Sequence, residues 1–170
     1  MSDEYEERWD AVQEGAELLR EGELEAALAE LQRVADDDPE NEYAQNYLGA
    51  VYFEQGEFMP AMKHYLRAIE LKANYLGAML GLGHCLRMLG RHDEAIKVGK
   101  QILHLQKDDA DALHLMGMIY FARGDRNQAL DYLERFLSTG PEAEVATEAQ
   151  GILQMLRGEV IPLHEQDDHN

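Results

Sequence analysis

Apolar residues recur along this chain at helical spacing, in short runs broken by glycine. Over residues 43–55, Tyr47, Leu48, Val51 and Tyr52 fall at helical intervals. Gly56 interrupts the run, and Met62, Tyr65, Leu66 and Ile69 resume the period over residues 59–71. The pattern predicts two helices joined by a tight turn. Gly56 suits a left-handed helix end, and Pro60 stands in the first turn of the second helix, where its missing N–H is tolerated.

The same unit returns along the chain. Gly15, Gly49, Gly83 and Gly117 are spaced by thirty-four residues, as are Gly22, Gly56, Gly90 and Gly124, and as are Ala27, Ala61, Ala95 and Ala129. A fixed period of this length means stacked supersecondary units. The first glycine series lies inside helices, where each glycine costs ~1 kcal/mol relative to alanine. Its recurrence predicts that a neighbouring helix passes too close for a side chain, with the alanine series as the opposing small surface. The first helix is expected to run to about Glu21. Residues 144–157 form one more amphipathic helix, with Val145, Ala149, Ile152 and Leu156 on one face and Gly158 as its stop. Residues 159–170 are expected to form a flexible tail.

Leu48-Gly49-x-x-Tyr52, Met116-Gly117-x-x-Tyr120, Ala61-x-x-x-Tyr65-x-x-Ala68 and the closing Pro39 and Pro141 give the chain a resemblance to the tetratricopeptide repeat (TPR) family. The family's register sets four units at 8–41, 42–75, 76–109 and 110–143. The resemblance implies an all-α fold: a right-handed α-solenoid of four helix-turn-helix units within residues 1–158, closed by a capping helix over 144–157. A terminal unit needs such a polar cap over its apolar face. Three departures stand out: Glu14 where leucine is usual, Gly99 where a large side chain fills the helix pair, and no proline closing the third unit.

In proteins of this architecture the first helix of each unit lines a concave groove that receives partner peptides. By register, the groove residues here are Trp9, Val12, Ala16 and Leu19; Tyr43, Asn46, Ala50 and Phe53; Leu80, His84 and Arg87; and Asp111, His114, Met118 and Phe121. Trp9, Tyr43, Phe53 and Phe121 read either as binding anchors or as packing between helices. Asn46, His84 and Arg87 read either as a clamp for a peptide carboxylate or backbone, or as a solvated polar patch. The positions of the family's two-carboxylate clamp for chaperone tails fall on Val12, Ala16, Tyr47, Gly77 and Gly81, none of which matches.

Composition narrows the function. The chain has 170 residues, 15 Lys+Arg against 34 Asp+Glu, and a net charge of −19. That balance argues against nonspecific nucleic-acid binding and against adsorption to an anionic membrane. Charge is also segregated: residues 1–60 carry 18 acidic and 3 basic side chains, whereas residues 61–110 carry 5 acidic and 8 basic. No window approaches the ~18 apolar residues of a membrane span. The single cysteine, Cys85, and an acidic start unlike a signal peptide point to a cytoplasmic location. His84, His114 and Asp111 are spread over separate repeats with no cysteine to join them, and neither a phosphate loop nor a nucleophile elbow is present. No metal, cofactor or catalytic residue is expected.

The sequence therefore predicts a noncatalytic protein–protein interaction scaffold that takes a peptide or helix of a partner in its groove. A self-assembling homo-oligomer is the alternative, and a small-ligand receptor or enzyme a weaker third.

Overall fold

The computed structural model describes residues 2–158; the tail expected at 159–170 lies outside the described residues. Ten helices follow in order: α1 (Ser2–Ala11), α2 (Gln13–Arg20), α3 (Leu24–Asp37), α4 (Glu42–Glu54), α5 (Phe58–Leu71), α6 (Leu76–Met88), α7 (His92–Leu105), α8 (Ala110–Arg123), α9 (Arg126–Ser138) and α10 (Ala143–Arg157). Among the described residues there is no strand. The fold is the all-α array of paired helices that the periodicity predicts. Gly22, Gly56, Gly90 and Gly124 all sit just past a helix end with φ between 71° and 79°. A side chain would be strained there, so the recurring glycine is a requirement of the turn.

The chain divides into two compact units, 1–105 and 106–170. In the first, α2 pairs with α3, α4 with α5 and α6 with α7, while α3 packs on α4 and α5 on α6. The first helices of the pairs touch side by side, α2 on α4 and α4 on α6. Ala27, Ala61 and Ala95 are fully buried. What faces the interior glycines, however, is not this alanine series. A β-carbon on Gly15 would stand 2.5 Å from Leu31, and one on Gly49 would stand 2.8 Å from the Tyr65 ring. In these two pairs a large side chain on the second helix reaches into the space the glycine leaves open. Position 99 stands in the same relation to Gly83 and is itself a buried glycine.

The first helix does not run unbroken to Glu21. It is interrupted at Val12, whose N–H donates to the Trp9 carbonyl at 3.3 Å, while the Gln13 side chain donates to the same carbonyl at 3.0 Å. Long-range bonds hold α1 beyond this break. Arg8 Nε donates to Asp38 at 2.8 Å, and buried Asn41 donates from Nδ2 to the Arg8 carbonyl at 3.1 Å. Asn41 also caps α4, its side-chain oxygen accepting from the N–H groups of Tyr43 and Ala44 at 3.0 Å each.

In the second unit, α8 pairs with α9 and α10 packs on α9. Gly117 repeats the glycine relation: its β-carbon would stand 2.6 Å from Leu133. α10 buries Ala149 and Leu153, while Val145, Ile152 and Leu156 are half-buried, so Leu153 joins the predicted apolar face at its buried edge. Arg157 donates to Glu134 at 2.7 Å and ties the end of α10 to α9.

Candidate peptide-binding face

A run of aromatic rings in the first unit centres on α4 and takes in Trp9 of α1, Phe58 of α5 and Tyr75 just before α6. Trp9, 42% exposed, meets Tyr43 edge-on with ring centroids 5.3 Å apart, and lies 6.4 Å from Tyr47. Tyr43 meets the Tyr75 ring edge-on at 6.0 Å. Further along, Phe53 packs on Phe58 at 5.3 Å and meets His84 edge-on at 6.2 Å. These aromatics both contact neighbouring helices and keep surface, so each is held by its neighbours while one side stays open.

Other predicted positions fall differently. Val12 is 0% exposed: it sits at the helix interruption in the core formed with Ala27, Leu31, Leu48 and Val51, and offers a ligand nothing. Ala16 is buried as well. Both are buried residues, one turn apart along the chain, and neither offers surface to a ligand. Leu19 is half-buried and packs against the same core. Asn46, Ala50, Leu80, His84 and Arg87 are half-buried on α4 and α6. Two polar atoms among them, Asn46 Oδ1 and Arg87 Nε, are buried without a hydrogen-bond partner. Such atoms cost about 1–3 kcal/mol each unless something satisfies them.

In the second unit Asp111 is exposed in the first turn of α8, and Met118 and Phe121 are half-buried. The half-buried His114 ring lies 4.8 Å from that of Phe136, so it supports the α8–α9 pair. Among the described residues, no group of three or more histidine, cysteine or acidic side chains could hold a metal ion. Cys85 is fully buried, and burial pushes its thiol up to about 12, which leaves it a packing residue.

The sequence reading missed a polar centre beside the aromatic run. Lys72 Nζ stands 5.0 Å from the Tyr43 ring centroid, 5.1 Å from Tyr75 and 5.9 Å from Tyr5. It donates to Tyr43 Oη at 3.4 Å and lies 4.0 Å from Glu42 Oε1. Burial raises the Tyr75 hydroxyl above its ordinary value, with Tyr47, Tyr43 and Glu42 adding to the rise. No sequence signal marks this centre, since Lys72 lies 29 residues from Tyr43.

A tetratricopeptide repeat family model matches residues 75–139, and a TPR repeat model matches residues 15–56. DnaJ homolog subfamily C member 3 of Homo sapiens is 27% identical over 138 residues, a match that takes in 72% of this chain and 27% of that protein. The solved structure of TTC0263, a thermophilic TPR protein of Thermus thermophilus, superposes with a TM-score of 0.74 at 21% identity, covering 89% of this chain and 82% of that one. The structure of the APC/C hetero-tetramer Cut9–Hcn1 superposes at 0.76 with 23% identity, covering 84% of this chain and 28% of that one. The chain spans about a quarter or less of the length of the curated relatives it matches.

Proposed function

The chain belongs to the tetratricopeptide repeat family, and from that premise we propose that it is a noncatalytic scaffold binding a peptide or helix of a partner protein on the face that carries the first helices of its pairs. The observation that carries this reading is the set of partly exposed aromatics on α1 and α4 together with unsatisfied polar atoms on α4 and α6. Trp9, Tyr43 and Phe53 offer apolar area on side chains already fixed by neighbours, the make-up of binding hot spots. Asn46 Oδ1 and Arg87 Nε offer an acceptor and a donor that nothing in the fold uses. The APC/C hetero-tetramer Cut9–Hcn1 shares this fold, which fits a role in assembly.

The test is affinity capture from the native lysate, followed by titration of the captured partner against Phe53→Ala and Arg87→Glu. Each variant is expected to weaken binding by ~1–3 kcal/mol while its melting curve shows a cooperatively folded array. Wild-type affinity in both would place the site on another face.

Self-association is the second reading, favoured by one observation. On α5, Met59 and Leu66 are exposed beside Met62, Lys63 and Arg67, an apolar stripe edged with basic residues in a chain whose first 60 residues are strongly acidic. Light scattering across micromolar concentrations decides it: a constant monomer mass removes this reading.

A further inference from the structure

Glu42 is the least expected residue of the first unit. It is 2% exposed, and no hydrogen bond reaches its Oε1. Its two cationic neighbours stand off: Arg8 Nη1 is 3.7 Å from Oε2 and Lys72 Nζ is 4.0 Å from Oε1. Arg8 gives its short contact, 2.8 Å from Nε, to Asp38 instead. A carboxylate so deeply buried normally gathers several close hydrogen bonds to offset its lost hydration, and this one has not.

The Lys72 ammonium, 4.0 Å from Oε1, is itself ringed by Tyr43, Tyr75 and Tyr5, all within 6 Å of it. Aromatic faces around a carboxylate make a receptor for a cation. Lys72 fills it from the solvent side, with 40% of its side chain exposed and no hydrogen bond to the carboxylate. An ammonium on a flexible stem is a loose fit there. A guanidinium is planar, can give two parallel N–H donors to one carboxylate, and stacks on aromatic faces.

We propose that the place now held by the Lys72 ammonium, beside Glu42 and among Tyr5, Tyr43 and Tyr75, receives an arginine side chain of the bound partner segment, with Lys72 as the resident placeholder that withdraws into solvent. This rests on the scaffold reading above and names the partner's chemistry at one end of the face. The surroundings favour a cation's approach, since residues 1–60 carry 18 acidic side chains against 3 basic ones. Trp9, whose ring is 5.3 Å from Tyr43, lies beside the pocket and reports on it.

The experiment titrates the full chain with N-acetyl-arginine methylamide, and with the matched citrulline and lysine compounds, following Trp9 fluorescence and tyrosine ring resonances. Because no partner protein is used, failure here leaves the scaffold reading standing, and failed capture leaves this result standing. The arginine compound is expected to bind saturably and the neutral citrulline compound not at all. Lys72→Met, which vacates the ammonium, should bind the arginine compound roughly tenfold more tightly, and Glu42→Gln should weaken it by a similar factor. Lys72→Met keeps the test decisive if Glu42→Gln fails to fold. No response in either wild type or folded Lys72→Met would overturn the proposal and make Glu42, Lys72 and Arg8 a closed structural network. So would equal binding of the citrulline compound, or preference for the lysine compound.

Discussion

Gly81 on α6 faces the ring of Tyr65 on α5 so closely that a β-carbon added to it would overlap the ring. The same ring is approached from α4 by Gly49. One buried side chain on the second helix of a pair is thus held between glycines of two first helices, its own pair's and the next. The close approach that the interior glycines imply is real, but its purpose is to admit a ring rather than to match a small surface.

Alanine at these glycines separates local preference from packing. Gly81→Ala should lower stability by ~1–3 kcal/mol, because the overpacking at Tyr65 outweighs the gain in helix propensity of ~1 kcal/mol. Gly151→Ala, in α10 with nothing within 4 Å of the added carbon, should raise it by up to ~1 kcal/mol. Urea denaturation of the two variants measures both signs, and a stabilised Gly81→Ala would refute the packing account.

α10 should be needed for the stability of the second unit. It covers α9 through Ala149 and Leu153, and Arg157 holds Glu134. A chain ending after Gly140 should melt at lower temperature and associate, since apolar surface of α9 is left bare. An unchanged melting curve with a monomeric mass would mean that α10 covers nothing of consequence.

Stability should fall on the alkaline side. Burial pushes the Cys85 thiol up to about 12 and raises the Tyr65 and Tyr75 hydroxyls. Below about pH 7 both folded and unfolded chains keep these protons, and the groups contribute no pH dependence. Above it the unfolded chain releases protons that the native chain retains, so stability drops as pH rises. Melting temperatures between pH 7 and 11 should decline, and Cys85→Ala should reduce the slope. At pH 8 a thiol reagent should react with Cys85 only as fast as the protein unfolds.

Much of the fold was legible because it is set by local chemistry. The turn glycines need a left-handed backbone, which Gly22, Gly56, Gly90 and Gly124 adopt. The helical period marks which side of each helix turns inward, and Ala27, Ala61, Ala95 and Ala129 are all fully buried as that period requires. The register also set Phe53 and His84 on neighbouring first helices, and their rings meet at 6.2 Å. What only the tertiary structure decided are the places where a residue answers to a distant partner. The stretch around Val12 has the apolar spacing of an unbroken helix, but Asp38 and Asn41, 30 and 33 residues from Arg8, hold α1 across the break and leave Val12 in the core. Lys72 and Glu42 read as two ordinary surface charges until the end of α5 brings one beside the start of α4. A period fixes which side of a helix faces inward, because each residue advances the side chain by a constant angle. It does not fix where one helix end meets another, because that depends on the summed packing of every pair between them.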